Sequence, residues 1–166
     1  SFGGEDPNNL TLAVLKKLKR TGKIRNTKVI IGPYYHHKIS KIFDYLDEED
    51  VIINPKNIYE LFSKSKYVIT AVGVTLQELF KIGVPSVVIA NYKHDISEFK
   101  IIKDFASQYM GEKFVNIIGY YKDIDDTKFI KMNEHASSYV PNINVESSDI
   151  GSGIKDLNNL LDSNLN

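Results

Sequence analysis

Thr75 and Glu78 stand three positions apart behind the small-residue turn Ala71-Val72-Gly73-Val74, and they are the residues of this chain best placed for chemistry. An apolar run, Tyr67 to Ala71, enters the turn, and a helical stretch from Thr75 to Ile82 leaves it. A helix that begins in such a turn leaves backbone N–H groups without intrahelical partners, and these suit a phosphate. Val74 and Thr75 supply such groups, Thr75 adds a hydroxyl, and Glu78 sits about one turn further in. A carboxylate there reaches a vicinal diol. Phosphate plus diol points to a nucleotide or a sugar nucleotide. Gly83-Val84-Pro85 then opens a second apolar run, Ser86 to Ala90, which gives a strand–turn–helix–strand unit. The plain alternative is an ordinary strand-to-helix turn carrying a solvated glutamate favoured by the helix dipole.

Other residues invite a chemical reading. Gly3-Gly4 lies between a strand end and a helix start, where a flexible backbone admits a phosphate or sugar. Asp6 suits a helix cap better than a catalytic acid. His36-His37 follow Gly32-Pro33, but adjacent histidines do not share a helix face and make a poor metal pair. His94-Asp95 follow another strand end and read either as a polar loop or as a pair that orients a substrate hydroxyl.

These residues need elements to hold them. Asp6-Pro7-Asn8-Asn9 starts a helix with Leu10, Val14, Leu15 and Leu18 inward, closed by Gly22. Thr27 to Ile31 and Asp50 to Ile53 read as strands. His37 to Leu46 reads as a helix with Ile39, Ile42, Phe43 and Leu46 inward, and Ile58 to Ser65 as a short one. Ser97 to Tyr109 is helical, Phe114 to Ile118 a last strand, and Thr127 to Ala136 a further helix. Ser137 to Ser152 is polar and irregular, and residues 153–165 carry an amphipathic pattern in Ile154, Leu157, Leu160 and Leu161 that predicts a C-terminal helix packed on the domain. The strand runs are continuously apolar, as in a parallel sheet covered on both faces. The expected fold is α/β: a Rossmann-like parallel sheet with helices on both faces. Ser1-Phe2-Gly3-Gly4 reads as the end of a strand whose first residues are missing.

Composition narrows the function. The chain has 166 residues, enough for one domain, with 21 Lys plus Arg against 21 Asp plus Glu and a formal net charge of zero. A neutral chain without a basic block argues against a nucleic-acid binder. With no cysteine there are no disulfides, thiolate metal sites or cysteine nucleophiles. No apolar run approaches the ~18 residues of a membrane span. A cytoplasmic location is the expectation.

Three segments resemble one family. Ser1-Phe2-Gly3-Gly4-Glu5-Asp6-Pro7-Asn8-Asn9-Leu10-Thr11 looks like the SFGG-x-DP-x-NLT segment of the pseudaminic-acid pathway nucleotide-sugar hydrolases and their relatives, the spore-coat polysaccharide biosynthesis proteins. Asn54 to Pro85 resembles the family's short helix, strand, glycine turn, T-x-x-E and G-V-P. Asp149-Ile150-Gly151-Ser152-Gly153 is faintly similar to its closing helix entry. The family has the two-domain GT-B fold, related to the lipid-linked peptidoglycan glucosaminyltransferase. The resemblance covers most of this chain but only the C-terminal, nucleotide-binding half of such an enzyme.

The resemblance implies roles. Gly3 and Gly4 would approach the diphosphate or sugar; Gly73, Val74 and Thr75 would bind the phosphates; Glu78 would accept from both ribose hydroxyls; the loop at Asn54 to Ile58 would face the uracil; Asn91 matches an asparagine after the fifth strand. The implied reaction is hydrolysis of a UDP-2,4-diacetamido-2,4,6-trideoxyhexose at the anomeric carbon, in nonulosonic acid or surface polysaccharide biosynthesis. The proposed catalytic histidine belongs to the N-terminal half, so no catalytic residue is assigned here, and the chain alone is expected to be inactive. Neither a cofactor nor a metal is expected. The implied partners are the UDP-sugar and the N-terminal GT-B domain. A UDP-sugar-dependent glycosyltransferase and a degenerate non-catalytic binding module stay open as alternatives. Three departures stand out: Val72 where the family has a first glycine, Tyr92 after Asn91 where glutamine is common, and no arginine in the terminal helix. A β-branched residue resists positive φ, so Val72 bears directly on the shape of the turn.

Overall fold

Continuous apolar runs become parallel strands because both of their faces are covered. The computed structural model describes residues 1–140, 155–157 and 159. Its elements run in the order α1 (Leu10–Arg20), β1 (Val29–Ile31), β2 (Val51–Ile53), α2 (Ile58–Ser63), β3 (Val68–Ala71), α3 (Val74–Ile82), β4 (Ser86–Ala90), α4 (Phe99–Tyr109), β5 (Val115–Tyr120) and α5 (Asp126–Ser137). All strand pairs are parallel, and the fold is Rossmann-like α/β. The strands form two ladders, β1-β2 and β3-β4-β5.

β4 shows why the runs do not alternate. All five of its residues are buried. Val88 packs with Leu76 and Phe80 of α3 and Ile102 and Phe105 of α4. Val87 and Ile89 point the other way, against Leu10, Val14 and Leu18 of α1 and Phe129 of α5. With period 2 along the strand, each face then demands apolar residues of its own. On β5 the register slips opposite Val88/Ile89, and Gly119 there takes φ +128, open only to glycine.

Helices join the two ladders. Leu15 of α1 packs on Val29 and Ile31 of β1, while its neighbours on α1 pack on β4. Phe62 of α2 packs with Val68 of β3, and Ile30 of β1 lies against the same cluster. At the head of α1 the Asp6 carboxylate is buried at 3% exposure and accepts from Leu10 N at 2.7 Å and Thr11 N at 2.9 Å. It therefore caps the helix as expected, although Pro7, Asn8 and Asn9 lie in turns ahead of the first helical residue, Leu10. A cap of this kind contributes about 0.5–2 kcal/mol.

One expected helix does not form. Between His37 and Leu46 only a single 3-10 turn, Ile39–Lys41, is present. Ile42 and Leu46 are buried as expected, but Phe43 faces solvent and Ile39 is only half-buried. Tertiary anchors shape this segment instead. His37 Nε2 lies 2.9 Å from the Asp6 carbonyl, and Tyr35 donates to Asn9 Oδ1 at 2.9 Å. Of the expected C-terminal helix, residues 155–157 and 159 are helical, and Leu157 is buried against Phe114 and Met110. The Asp149 to Gly153 motif and Ile154, Leu160 and Leu161 lie outside the described residues.

At Gly32 the fold brings backbone against backbone. A Cβ on Gly32, just after β1, would stand 2.4 Å from Gly4 Cα and 2.5 Å from Gly3 O. Tyr34 N donates to Gly4 O at 3.0 Å beside it. No alanine fits without moving the main chain. Gly32→Ala is expected to destabilise the protein by about 1–3 kcal/mol, the usual range for overpacking. Gly4→Ala, whose Cβ meets Tyr34 Cδ2 at 3.5 Å and Pro33 Cδ at 3.9 Å, both ordinary contacts, is the control and should be mild. Urea midpoints of the two variants measure the difference.

Candidate nucleotide-binding edge

Parallel pairing places the C-terminal ends of all five strands on one edge, where α/β sheets bind ligands. The turns after β1, β2, β3 and β4 all open there. The Gly3-Gly4 turn joins them by resting on Gly32.

The turn after β3 needs one glycine, not two. Gly73 has φ +143 and ψ −163, a region that only glycine occupies comfortably. Val72 is absent from the residues with positive φ. Its side chain packs partly buried against the cluster of Leu76, Phe80 and Val88. A glycine at 72 is therefore not required by this backbone, and the valine adds apolar contact.

The head of α3 is open. Gly73 O accepts from Leu76 N at 3.0 Å and, more weakly, from Gln77 N at 3.4 Å, and no side chain caps the helix. The amides of Val74 and Thr75 have no intrahelical carbonyl to reach. Val74 is exposed, so this helix start faces solvent. Gly3, Gly4, Gly32, Asn54, Pro55, Ile58 and Thr75 line one cavity of about 180 Å³. The structure thus brings together Gly3, Gly4 and Thr75, from turns seventy residues apart in the chain, and adds the loop expected to meet a base. Asn54 takes φ +46 there, a conformation asparagine tolerates.

Glu78 is half-buried one turn along α3 and already holds a hydroxyl. Tyr59 of α2 donates to Glu78 Oε1 at 3.3 Å. The Glu78 carboxylate, then burial, then this hydrogen bond raise the Tyr59 pKa above its ordinary value. Tyr59 was not among the residues expected from the sequence. Its only signal is position: second in a short helix that follows the Asn54-Pro55 loop.

Asn91 is tied into the scaffold. Its Oδ1 accepts from Asn8 Nδ2 at 2.8 Å, and its N–H donates to Asp95 Oδ2 at 2.8 Å. Asp95, buried, also accepts from Tyr92 N at 2.9 Å, so its carboxylate closes the loop after β4. His94 lies 3.3 Å from Asp95 Oδ1 and stacks on Tyr92 with ring centroids 5.2 Å apart. Burial first, then Asp95, raises the pKa of nearby Glu98. Asn91 does not line the cavity that holds Thr75; neither do Gly73, Val74 and Glu78, which lie on and behind the helix start.

Among the described residues, no group of three or more His, Cys, Asp or Glu gathers at metal-binding distance. Nor is any helix among them long and apolar enough to cross a membrane.

No family model and no solved structure matches the chain. An uncharacterised protein of Methanocaldococcus jannaschii is 32% identical over 94 residues, a stretch that covers 54% of this chain. That match spans 19% of the archaeal protein's own length.

The Tyr59–Glu78 contact is directly testable. Glu78→Gln should return the Tyr59 phenol toward the ordinary tyrosine range, because the carboxylate is the first cause of the upward shift. A ring-resolved NMR titration of Tyr59 follows it. An unchanged titration would place the cause elsewhere.

Proposed function

We propose that this chain is the nucleotide-binding half of a two-domain GT-B enzyme that cleaves a UDP-sugar. The observation that carries the reading is the open head of α3. Gly73 provides the turn, Val74 and Thr75 offer amides, and Thr75 shares a cavity with the Gly3-Gly4 turn. A diphosphate bridging those two turns would meet N–H groups at the positive end of a helix nine residues long. Glu78, an acceptor that already holds one O–H donor, would exchange the Tyr59 hydroxyl for the ribose diol. The loop at Asn54 to Ile58, on the same cavity, would border the base.

In this reading UDP is the leaving group. Charge developing on the β-phosphate would be stabilised by the amides of α3, in a position fixed before reaction. The group that activates water would come from the other half of the enzyme, and the product would be UDP and a free amino-deoxy sugar. Resemblance in the SFGG-x-DP-x-NLT segment favours hydrolysis over transfer to an acceptor.

Two measurements test the proposal. UDP titrated into the chain should shift the amides of Gly73, Val74 and Thr75. Glu78→Ala should weaken binding by about 1.5–3 kcal/mol, the range for a hydrogen bond to a charged group. Silence at millimolar UDP would sink the reading and leave a degenerate module. With the whole enzyme, release of UDP from the sugar nucleotide without any acceptor is the expected outcome. Release only when an acceptor is supplied would make it a glycosyltransferase.

A further inference from the structure

Asn8, Asn91 and Tyr121 meet where α1 begins and where the loops after β4 and β5 leave the sheet. Asn8 Nδ2 donates twice, to the Asn91 main-chain carbonyl at 3.2 Å and to Asn91 Oδ1 at 2.8 Å. Tyr121 donates its hydroxyl proton to Asn8 Oδ1 at 3.3 Å. The main chain of Asn91 is held in turn, since Asn91 N and Tyr92 N both donate to Asp95 Oδ2. The Asn91 carboxamide therefore stands on a fixed base beside a fixed neighbour.

The two ends of a carboxamide have nearly the same shape and opposite hydrogen-bonding character, so the network decides which way each one lies. A main-chain carbonyl only accepts, so the end of Asn8 beside Asn91 O is its nitrogen. That nitrogen only donates, so the end of Asn91 beside it is the oxygen. Asn91 Nδ2 is left on the far side. It has no hydrogen-bond partner among the described residues, where the buried side-chain atoms without one are Ser86 Oγ and Asn133 Oδ1. The half-buried Asn91 thus turns a free N–H donor to solvent just past the end of β4. This donor lies outside the cavity shared by Gly3, Gly4 and Thr75.

We propose that Asn8 is a positioning residue that holds the Asn91 carboxamide nitrogen-outward, so that the end of β4 donates to a ligand oxygen carrying no proton, acyl or phosphoryl. The Asn91 oxygen is occupied by Asn8 and so is closed to a ligand group that must donate. Asn8 acts through Asn91, which stands 83 residues further along the chain, and Tyr121 holds Asn8 in that role by occupying its oxygen. The polarity follows from the network and is independent of the ligand. The class of oxygen rests on the sugar-nucleotide reading above.

Side-chain amide exchange, read by NMR, tests the polarity without a ligand. In the unaltered chain the Asn8 NH2 group should exchange about tenfold more slowly than that of Asn91. The reverse order would overturn the proposal. Asn8→Asp keeps the shape and the bond from Tyr121 but presents only acceptors, so the Asn91 carboxamide should turn over and its NH2 group gain the protection. A merely structural Asn8 would lower the urea midpoint in this variant and leave Asn91 exchange as it was, which also overturns it. The same signals then follow titrations with UDP, UDP-N-acetylglucosamine and UDP-glucose. Movement of the Asn91 NH2 signal with UDP makes the oxygen phosphoryl, and movement with UDP-N-acetylglucosamine alone makes it acyl. In either case Asn8→Asp should abolish the movement and weaken that ligand about tenfold. Movement with UDP-glucose as large as with UDP-N-acetylglucosamine, and none with UDP, would assign a hydroxyl and overturn the proposal. So would a still Asn91 signal while the amides of Gly73, Val74 and Thr75 respond. If those amides are silent as well, the sugar-nucleotide reading fails and the ligand oxygen with it, while the exchange measurement still decides the role of Asn8.

Discussion

The arrangement at the C-terminal ends of the strands depends on how closely two backbones approach at Gly32. The contact carries almost no side-chain energy. Its effect is positional: it lets the Gly3-Gly4 turn lie directly on the end of β1, within one cavity of Thr75. Any Cβ at position 32 would push the turn outward by more than the width of a hydrogen bond's tolerance. The Asp6 cap acts on the same segment from the other side. By holding the first amides of α1, it fixes where the turn must leave the helix, and its carbonyl steadies His37 and so the segment after β1.

Stability and function divide between the two sides of each strand end. Behind the edge, α1 and α5 cover one face of β4 and α3 and α4 the other, and dense packing there holds the strands rigid. At the edge, the first amides of α3 have no intrahelical carbonyl to reach, and the Glu78 carboxylate holds only a long, exposed bond from Tyr59. Rigid scaffold and unsatisfied edge are what a site needs if donors are to be in place before a ligand arrives. Asn91 and Asp95 brace the loop after β4: Asn91 Oδ1 accepts from Asn8, and the Asn91 N–H donates to Asp95.

Much of this was legible from residue order. β4 falls on the residues its apolar run marked, Ser86–Ala90, because a strand buried on both faces writes itself as an unbroken run. The helix expected from Thr75 to Ile82 forms one residue earlier, at Val74, directly after Gly73, and Gly83 takes φ +70 at its C-cap. The stretch from His37 to Leu46 misled for a physical reason. Ile42 and Leu46, four apart, satisfy helical spacing, but any path that returns two side chains to one side does the same. Bonds from Tyr35 and His37 to the head of α1 chose another path. Val72 misled in the opposite direction: a family pattern asks for glycine there, yet the backbone at 72 never enters the region where glycine is needed.

The sequence by itself determined the class of fold, the parallel direction of its strands and the glycine turns at the strand ends, since these follow from local conformational limits and from burial on both faces. Only the tertiary structure decided which turns meet. That Gly32 bears on Gly3 and Gly4, that Tyr59 reaches Glu78, and that β1 and β3 belong to separate ladders are consequences of packing between distant segments. Such contacts are set by the shapes that helices α1 and α2 impose on two separate ladders, and no periodicity along the chain encodes them.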